Sequence, residues 1–262
     1  MPTSLPSIST FTDPTVASPF DPRTNPSMAA AHWLRRDIVR GVFEPDERLK
    51  VEQLVKFYKV GHSPIREAII LLSSSGLVVH EHQKGYRVAP VSLADYDDVI
   101  NVYQHLYLLA VDMAFERNDP TWEERLIVQM HRSAKIPMAF PDGDPQVRER
   151  WQRAYGELHR EILIGCGSPL LLQLVSDSGA KLERYVGLFG DFENVRTRDP
   201  HAEHRAIIDA IVAHDLDRTH AVLKQWFAAG QSFRQSVIEV LKRSQSARPR
   251  RGRKPKDILE AV

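Results

Sequence analysis

One stretch of this sequence, residues 49–90, constrains the fold more than any other. It opens with four apolar residues at helical spacing, which predict a short amphipathic helix. They are Val51, Leu54, Val55 and Tyr58. A second helix is predicted directly after a turn, because Ser63 offers a capping hydroxyl and Pro64 a pre-set φ angle. Gly61 is expected to take a positive φ in that turn.

The second helix is predicted to bury one apolar stripe and to keep polar residues near its N-terminus outside. The stripe consists of Ile65, Ala68, Ile69 and Leu72. His62, Ser63 and Arg66 are left on the outer side, where a recognition helix meets bases and phosphates. Residues 77–82 and 86–88 are predicted to form two strands of a hairpin around a turn at residues 83–85. This order of elements is typical of a winged helix-turn-helix.

Three motifs in this region resemble the DNA-binding domain of the GntR regulators. They read VGHSPIREAI at 60–69, GLV at 76–78 and GYRV at 85–88. The resemblance implies a set of DNA contacts on the recognition helix, at the wing tip and just before the first helix of the motif. These are Arg48, His62, Ser63, Arg66, His82, Gln83, Lys84 and Gly85. The family usually has Arg at position 62, and a neutral imidazole cannot hold guanine as a guanidinium fork does.

Four segments are predicted along the chain, and the fold class is mainly α. Residues 1–27 are rich in Ser, Thr and Pro and are expected to form a disordered extension. Residues 28–90 form the winged helix-turn-helix, whose first helix is predicted at 29–39. Residues 94–241 form an all-α bundle of six helices, and residues 242–262 form a basic tail.

The six bundle helices are predicted from apolar spacing and from breaks at Pro and Gly. Their predicted bounds are 95–116, 122–133, 145–165, 169–188, 201–214 and 217–241. In the first of them a set of apolar residues at helical spacing is expected to face the core. The set is Val99, Val102, Leu106, Leu109 and Met113.

The bundle resembles the FCD domain of the FadR branch of GntR regulators, which implies effector binding and dimerisation. The matching segments are LHREI at 158–162, GSPLLL at 167–172 and EHRAI at 203–207. Many members of that branch hold a divalent metal through one Asp and three His. His159 and His204 match two of these ligands, whereas Tyr155 and Trp226 stand at the positions of the Asp and of the third His.

Three interpretations of this site stay open at the level of sequence. Two imidazoles alone make a poor site for zinc or nickel, so no cofactor is predicted, and a metal on His159 and His204 is the alternative. Without a metal, Tyr155, His159, His204 and Trp226 are expected to line a pocket for an organic effector. The histidines would otherwise be ordinary core residues.

Two tyrosines mark another departure from that branch. Its members often carry an Arg and a Glu one turn apart on the first bundle helix, and the nearest positions here hold Tyr103 and Tyr107. Phenols in place of charges favour an effector that is less anionic than a small carboxylic acid.

Charge is distributed unevenly along the chain, although the net charge is only +1. Lys and Arg outnumber Asp and Glu by 10 to 7 in residues 28–90 and by 8 to 2 in 242–262, whereas residues 91–241 carry 16 against 23. A basic module and tail beside an acidic body suit a protein in which only the former approaches DNA. No membrane span or secretory leader is indicated, and the single Cys166 suits a reducing compartment, so a cytoplasmic location is expected.

The basic tail contains a segment similar to an AT-hook. Residues 249–256 read PRRGRKPK, and an extended Arg251-Gly252-Arg253 would fit the narrow minor groove of A·T-rich DNA. Lys254 separates Arg253 from Pro255, where the usual core runs Arg directly into Pro. Minor-groove binding by the tail is therefore a hypothesis, and a solvated tail is the alternative.

These features together predict a ligand-responsive transcriptional regulator, acting as a repressor, rather than an enzyme. Its predicted partners are double-stranded DNA, a small-molecule effector and a second copy of the chain, with no membrane. A homodimer would bind an inverted-repeat operator, since two recognition helices would lie at a fixed separation. The alternatives are a metal-dependent enzyme built on the helical bundle, or an architectural protein that binds DNA without sequence preference.

Overall fold

The structure is a computed structural model that describes residues 20–39, 41–137, 145–189 and 198–229, together with 233–235, 237–239 and 241. Its N-terminal part contains three helices and three strands in the order of a winged helix-turn-helix. They are α1 (Pro26–Val39), β1 (Arg48–Leu49), α2 (Val51–Tyr58), α3 (His62–Ser74), β2 (Val78–Glu81) and β3 (Gly85–Val88). The predicted basic tail, including Arg251, Gly252 and Arg253, lies outside the described residues.

The core of this part joins the three helices to the sheet. Leu34 and Ile38 of α1 and Ile65 and Ile69 of α3 are fully buried, as expected from their spacing. Helix α1 begins at Pro26, two residues before the predicted boundary at 28, so the end of the predicted extension belongs to this helix.

Strand β1 extends the predicted hairpin into a three-stranded antiparallel sheet with the order β1-β3-β2. Arg48 pairs with Arg87, and Leu49 pairs with Tyr86. Strand β2 is one residue shorter than predicted at each end, because Leu77 precedes it and the turn begins after Glu81, whereas β3 begins one residue earlier than predicted, at Gly85. Residues of α3 and of the three strands belong to one buried core, so the recognition helix and the wing pack on the same side chains.

Two sequence predictions about the turn between α2 and α3 are wrong. The left-handed residue is Lys59, with φ 55°, whereas Gly61 has φ −68° and ψ 168° and is the N-cap of α3. Ser63 does not cap the helix, because α3 begins at His62 and its Ser63 hydroxyl instead donates to Glu67 Oε1 at 3.3 Å. Pro64 thus lies in the first turn, where its missing N–H costs no hydrogen bond.

Six helices follow in the described part of the chain between residues 93 and 229, and they confirm the predicted helical bundle. They are α4 (Leu93–Arg117), α5 (Pro120–Ser133), α6 (Pro145–Ile164), α7 (Pro169–Phe189), α8 (Pro200–Val212) and α9 (Leu216–Ala229). Among the described helices, none combines the length and the apolar character that crossing a bilayer would require.

The buried face of α4 matches the predicted face only in part, because Val99 is buried as expected and Leu106 and Met113 are half-buried, but two other members of the set are exposed. Val102 and Leu109 are 41% and 47% exposed, whereas Tyr103 and Tyr107 are buried in the bundle core. The tyrosines lie in the interior because a large aromatic ring buries more area, and the hydroxyl of Tyr107 bonds His159 there. Consequently, α4 shows apolar side chains on its outer surface as well.

Candidate functional site: a DNA-binding surface and a buried histidine cluster

The first turn of α3 presents an exposed polar surface. His62, Ser63 and Arg66 are exposed, and the side chain of Arg66 forms no hydrogen bond or ion pair with the described residues. The backbone N–H groups of His62 and Ser63 have no carbonyl partner within the helix, so they can meet an anion such as a phosphate. The burial of Ile65, Ala68 and Ile69 behind this turn fixes the direction in which Arg66 points.

The wing forms the second part of this surface. His82, Gln83 and Lys84 are exposed at its tip, and the turn is closed by a bond from Lys84 N to Glu81 O at 3.0 Å. Gln83 and Gly85 both take a positive φ there, at 62° and 84°.

Arg48 lies beside the wing because β1 pairs with β3. A Cβ atom placed on Gly85 would lie 3.9 Å from Arg48 Nη2, so the guanidinium reaches the base of the wing tip. The structure therefore brings Arg48 next to the wing, and it leaves every residue predicted to contact DNA, on α3 and on the wing, exposed or half-buried. Their contact with DNA stays a prediction.

A cluster of aromatic and imidazole side chains lies inside the helical bundle. We call it the central cluster, and its members are Tyr107, Tyr155, His159, His204 and Trp226. His159 and His204 are each only 4% exposed, and Trp226 is half-buried beside them. The ring centroids of Tyr155 and His204 are 4.5 Å apart, and those of His159 and Trp226 are 4.8 Å apart. The four residues predicted to line an effector pocket thus meet at one place.

A chain of hydrogen bonds runs through the central cluster, and its direction can be assigned. The carbonyl oxygen of Pro200, which can only accept, lies 2.5 Å from His204 Nδ1, so that nitrogen carries a proton. In a neutral ring His204 Nε2 must then accept, and its partner at 2.8 Å is the Nε2–H of His159. His159 Nδ1 is left to accept from the hydroxyl of Tyr107 at 2.8 Å.

Electrostatics agree with two neutral imidazoles. Burial lowers the pKa of His204 to about 4, and burial together with the nearby His204 lowers the pKa of His159 well below its ordinary value. Burial also raises the pKa of the Tyr107 phenol well above its ordinary value, so its hydroxyl keeps the proton that it donates. The chain therefore runs from Tyr107 to Pro200 with each polar atom of the two rings used once.

The residues of the central cluster do not fit the metal site suggested by the family resemblance. Tyr155 and Trp226 occupy the positions of the carboxylate and of the third imidazole, and an indole offers no ligand atom. The lone pair of His204 Nε2 already accepts a hydrogen bond. No group of three or more His, Cys, Asp or Glu side chains suited to a metal occurs within the described residues.

Two further residues border the central cluster, and sequence reasoning did not place them in a site. His201 Nδ1 lies 3.1 Å from the hydroxyl of Tyr155. The ring of Trp151 packs on Tyr155 with centroids 4.5 Å apart, and within the described structure its buried indole nitrogen has no hydrogen-bond partner. Trp151 lies one helical turn before Tyr155, which is the signal that could have indicated it. His220, by contrast, pairs with Asp112, with its Nε2 atom 2.6 Å from Asp112 Oδ1.

Two family models match this chain, one for each part. The model described as "Bacterial regulatory proteins, gntR family" matches residues 26–88, and the model described as "FCD domain" matches residues 98–229. The first range contains the exposed turn of α3 and the wing. The second contains every member of the central cluster.

Curated relatives cover most of the chain. The HTH-type transcriptional repressor GlaR of Escherichia coli K12 is 31% identical over 203 residues, which are 76% of this chain and 91% of that protein. The HTH-type transcriptional regulator BphR of Paraburkholderia xenovorans LB400 is 29% identical over 191 residues, which are 73% of this chain and 78% of that protein. A solved structure of E. coli McbR/YncC has the same fold, with a TM-score of 0.60 at 18% identity, over 84% of this chain and 98% of that one.

Proposed function

Because this chain belongs to the GntR family of bacterial regulatory proteins and carries an FCD domain after its winged helix, we propose that it is a dimeric repressor whose effector binds at the central cluster. Members of this family are ligand-responsive DNA-binding transcription regulators, and the proposal starts from that general function. Repression is supported by the name of the relative GlaR, which is 31% identical to this chain.

One observation carries the DNA-binding part of the proposal. Arg66 is exposed on the first turn of α3, makes no ion pair with the described residues, and lies in a helix whose opposite face is fully buried. A guanidinium so presented can bind guanine through two hydrogen bonds in the major groove. His62 and Ser63 would meet neighbouring bases and phosphates, while Arg48 and Lys84 would follow the backbone or the minor groove.

The test compares two variants that remove the same charge at different places. The probe is a duplex that the wild-type protein selects from a random pool, and binding is measured by fluorescence anisotropy. Arg66→Ala is expected to weaken binding about tenfold or more, because a bidentate base contact contributes about 1–3 kcal/mol. Arg218→Ala, at an exposed position of α9, is expected to bind like wild type. Equal affinity of both variants for the selected duplex would refute the assignment of α3.

The same titrations separate a specific regulator from an architectural binder. A specific regulator prefers the selected duplex over a scrambled one, and Arg66→Ala reduces that preference. An architectural protein would bind both duplexes equally and with a steep dependence on salt.

Exposed apolar side chains on two neighbouring helices support a homodimer. Val102 and Leu109 on α4 are 41% and 47% exposed, and Leu170 and Leu174 on α7 are 72% and 44% exposed, while α4 and α7 pack side by side. Covering such residues in a second copy would remove apolar area from water. Sedimentation velocity is expected to show a dimer for wild type and a monomer for the variant that carries Val102→Glu and Leu109→Glu. A monomeric wild type would contradict this part of the proposal.

We place effector binding at the central cluster because its members are aromatic, buried and linked by one hydrogen-bond chain. Arg198, a half-buried cation that acts on His204, is already paired with Glu203, and the two imidazoles are held neutral, so an uncharged or weakly polar effector suits this site better than a carboxylate. A thermal-shift screen of small molecules against wild type and Trp226→Ala is the test. Ligands that stabilise the wild type are expected to lose their effect in this variant. Retention of every such shift would place the effector elsewhere.

The effector is proposed to bind without a metal. Elemental analysis of the purified protein is expected to find no stoichiometric divalent metal. The variant that carries Tyr155→Asp and Trp226→His restores the four-ligand set of the FCD family and is expected to bind Ni²⁺ or Zn²⁺ in calorimetry. A stoichiometric metal in the wild-type protein that disappears in His204→Ala would refute this proposal and reopen the metal-dependent enzyme.

A further inference from the structure

The C-terminal half of α7 places two charged side chains in the interior. Glu183 is 6% exposed and Arg184 is 3% exposed. A buried charge is costly unless it is paired, so the partners of these residues show what they hold. Neither residue belongs to the surface of α3 or to the central cluster.

Glu183 pairs with the DNA-binding domain. Its Oε2 atom lies 2.6 Å from Nη2 of Arg35, on the first helix of the winged part. The two residues are 148 positions apart in the sequence, so the pair joins the winged domain directly to the helical bundle. An ion pair of this kind contributes little to stability compared with a well-packed apolar contact, but it does define one geometry.

Arg184 holds the linker, residues 89–92, which joins the winged domain to helix α4 of the bundle. Its Nη1 and Nη2 atoms donate to the carbonyl oxygens of Ala89 and Pro90 at 3.1 and 3.0 Å. The next residue, Tyr185, accepts a bond from the backbone N–H of Ser92 at 3.3 Å through its hydroxyl. The planar guanidinium spans two successive carbonyls, which a lysine could not do in the same fixed arrangement. The linker is therefore bound along its length to α7.

Two glycines of the winged domain lie directly against α7. A Cβ atom on Gly41 would lie 2.9 Å from Leu188 Cδ2, and one on Gly76 would lie 2.9 Å from Lys181 Cε. Gly41 follows α1, and Gly76 follows the recognition helix α3. Consequently, α7 touches the domain at the end of the helix that is proposed to read DNA.

The Arg35–Glu183 pair also lies close to the central cluster. Burial, with a contribution from the charge of Glu183, raises the pKa of Tyr103. The ring of Tyr103 is 6.0 Å from that of Tyr107, whose hydroxyl bonds His159. Two tyrosines of α4 thus separate the imidazole pair from the ion pair that holds the winged domain.

We propose that Glu183 and Arg184 are positioning residues that hold each winged domain at one orientation on α7 and so set the half-site spacing that the dimer accepts. The inference rests on the proposed function for its consequence at DNA, but the orientation itself is a property of one chain. When an effector alters the central cluster, the change reaches the winged domain through α4 and α7. Loss of the Arg35–Glu183 pair leaves the linker bonds in place but widens the range of orientations of the winged domain, and neither residue belongs to the surface of α3.

The primary test measures orientation without DNA. Spin labels are attached at Lys56→Cys on α2 and Glu124→Cys on α5, both exposed positions, in a Cys166→Ala background diluted with unlabelled protein. Pulsed dipolar spectroscopy is expected to give one narrow distance distribution, which Glu183→Gln widens at least twofold. The control is Glu161→Gln, which removes an equally short ion pair, to Arg125 at 2.6 Å, inside the helical bundle, and it leaves the width unchanged.

A variant in which the charges of Arg35 and Glu183 are exchanged tests whether the ion pair itself sets the width of the distance distribution. The double variant Arg35→Glu, Glu183→Arg restores an ion pair and is expected to return the distribution to within a quarter of the wild-type width. A distribution that stays narrow in Glu183→Gln, with circular dichroism showing a folded protein, overturns the inference. So does a wide distribution in the wild-type protein.

A second measurement connects orientation to DNA. The selected duplex is lengthened by one or two base pairs at its centre, and wild type is expected to discriminate against the altered spacing at least tenfold. Glu183→Gln reduces that discrimination to threefold or less, while its loss of affinity on a base substitution inside one half-site equals that of wild type. A mere loss of stability would weaken binding to every duplex alike. If wild type selects no duplex at all, the proposed function fails, and the distance measurement still decides the inference.

Discussion

The buried imidazole pair predicts a loss of stability in mild acid. His204 has an ordinary pKa of 6.5 and a folded-state pKa of about 4, because burial disfavours its charged form. The unfolded chain therefore binds a proton below pH 6.5 that the folded protein does not bind until about pH 4. The stabilisation from a neutral His204 is complete above pH 6.5 and is lost as the pH falls toward 4.

The size of this effect follows from the shift. One pKa unit corresponds to about 1.4 kcal/mol, so the whole shift amounts to about 3 kcal/mol at most. Between pH 7.5 and pH 5.0, about 2 kcal/mol of this is lost through His204 alone. The lowered pKa of His159 acts in the same direction, since its ring also has to stay neutral for its Nδ1 atom to accept from the hydroxyl of Tyr107.

Urea unfolding at pH 7.5 and 5.0, followed by circular dichroism and tryptophan fluorescence, measures the difference in the free energy of unfolding. The variant with both His159→Gln and His204→Gln lacks the two titrations and is expected to lose at least about 2 kcal/mol less than wild type over this range. His131→Gln, at an exposed position of α5, serves as the control and should behave like wild type. Equal losses in wild type and in the double variant would refute the assignment of two neutral, buried rings.

Two further predictions concern the tail and a close contact in the bundle. Truncation after Ser246 is expected to weaken operator affinity and to flatten its salt dependence, because the removed basic segment would release counterions on binding; an unchanged affinity and salt slope would exclude a DNA contact by the tail. Gly165→Ala is expected to lower the free energy of unfolding by about 1–3 kcal/mol, since the new Cβ would lie 2.4 Å from Cε2 of the buried Trp122. Gly61→Ala, where the nearest atom is 3.6 Å away, should cost less than about 1 kcal/mol, and equal losses in the two variants would contradict the packing described at Trp122.

The fold could be predicted from sequence where the periodicity of apolar residues and the positions of Gly and Pro indicated the same helix or strand. The burial of Ile65 and Ile69 follows from their spacing, and the exposure of Arg66 follows from that burial. Strand β1 has only two residues, which is too short to show a period, so its pairing with the wing was missed. At the turn before α3 we expected Gly61 to take the left-handed conformation, but Lys59 takes it, because α2 ends at Tyr58 and Lys59 is its C-cap residue.

The bundle site was only partly predictable for a different reason. Tyr155, His159, His204 and Trp226 could be gathered from a family pattern, but the hydrogen bond from Tyr107 joins residues 52 positions apart. The Arg35–Glu183 pair joins residues 148 positions apart. The spacing of apolar residues along one helix cannot predict such contacts, since each contact depends on how whole helices pack. The exposure of Val102 and Leu109 on α4 was missed for the same reason.

The binding of the linker to α7 limits how this protein can be recombined with others. A chimaera spliced just after Pro90 would separate the carbonyls of Ala89 and Pro90 from the guanidinium of Arg184 that receives them. Residues 181–188 would therefore have to be transferred together with the winged domain, although they lie in the middle of the helical bundle. A biosensor built by exchanging the helical bundle of this protein should keep that short segment with the winged domain. Alternatively, the side chains of Glu183 and Arg184 should be introduced at the matching positions of the new bundle.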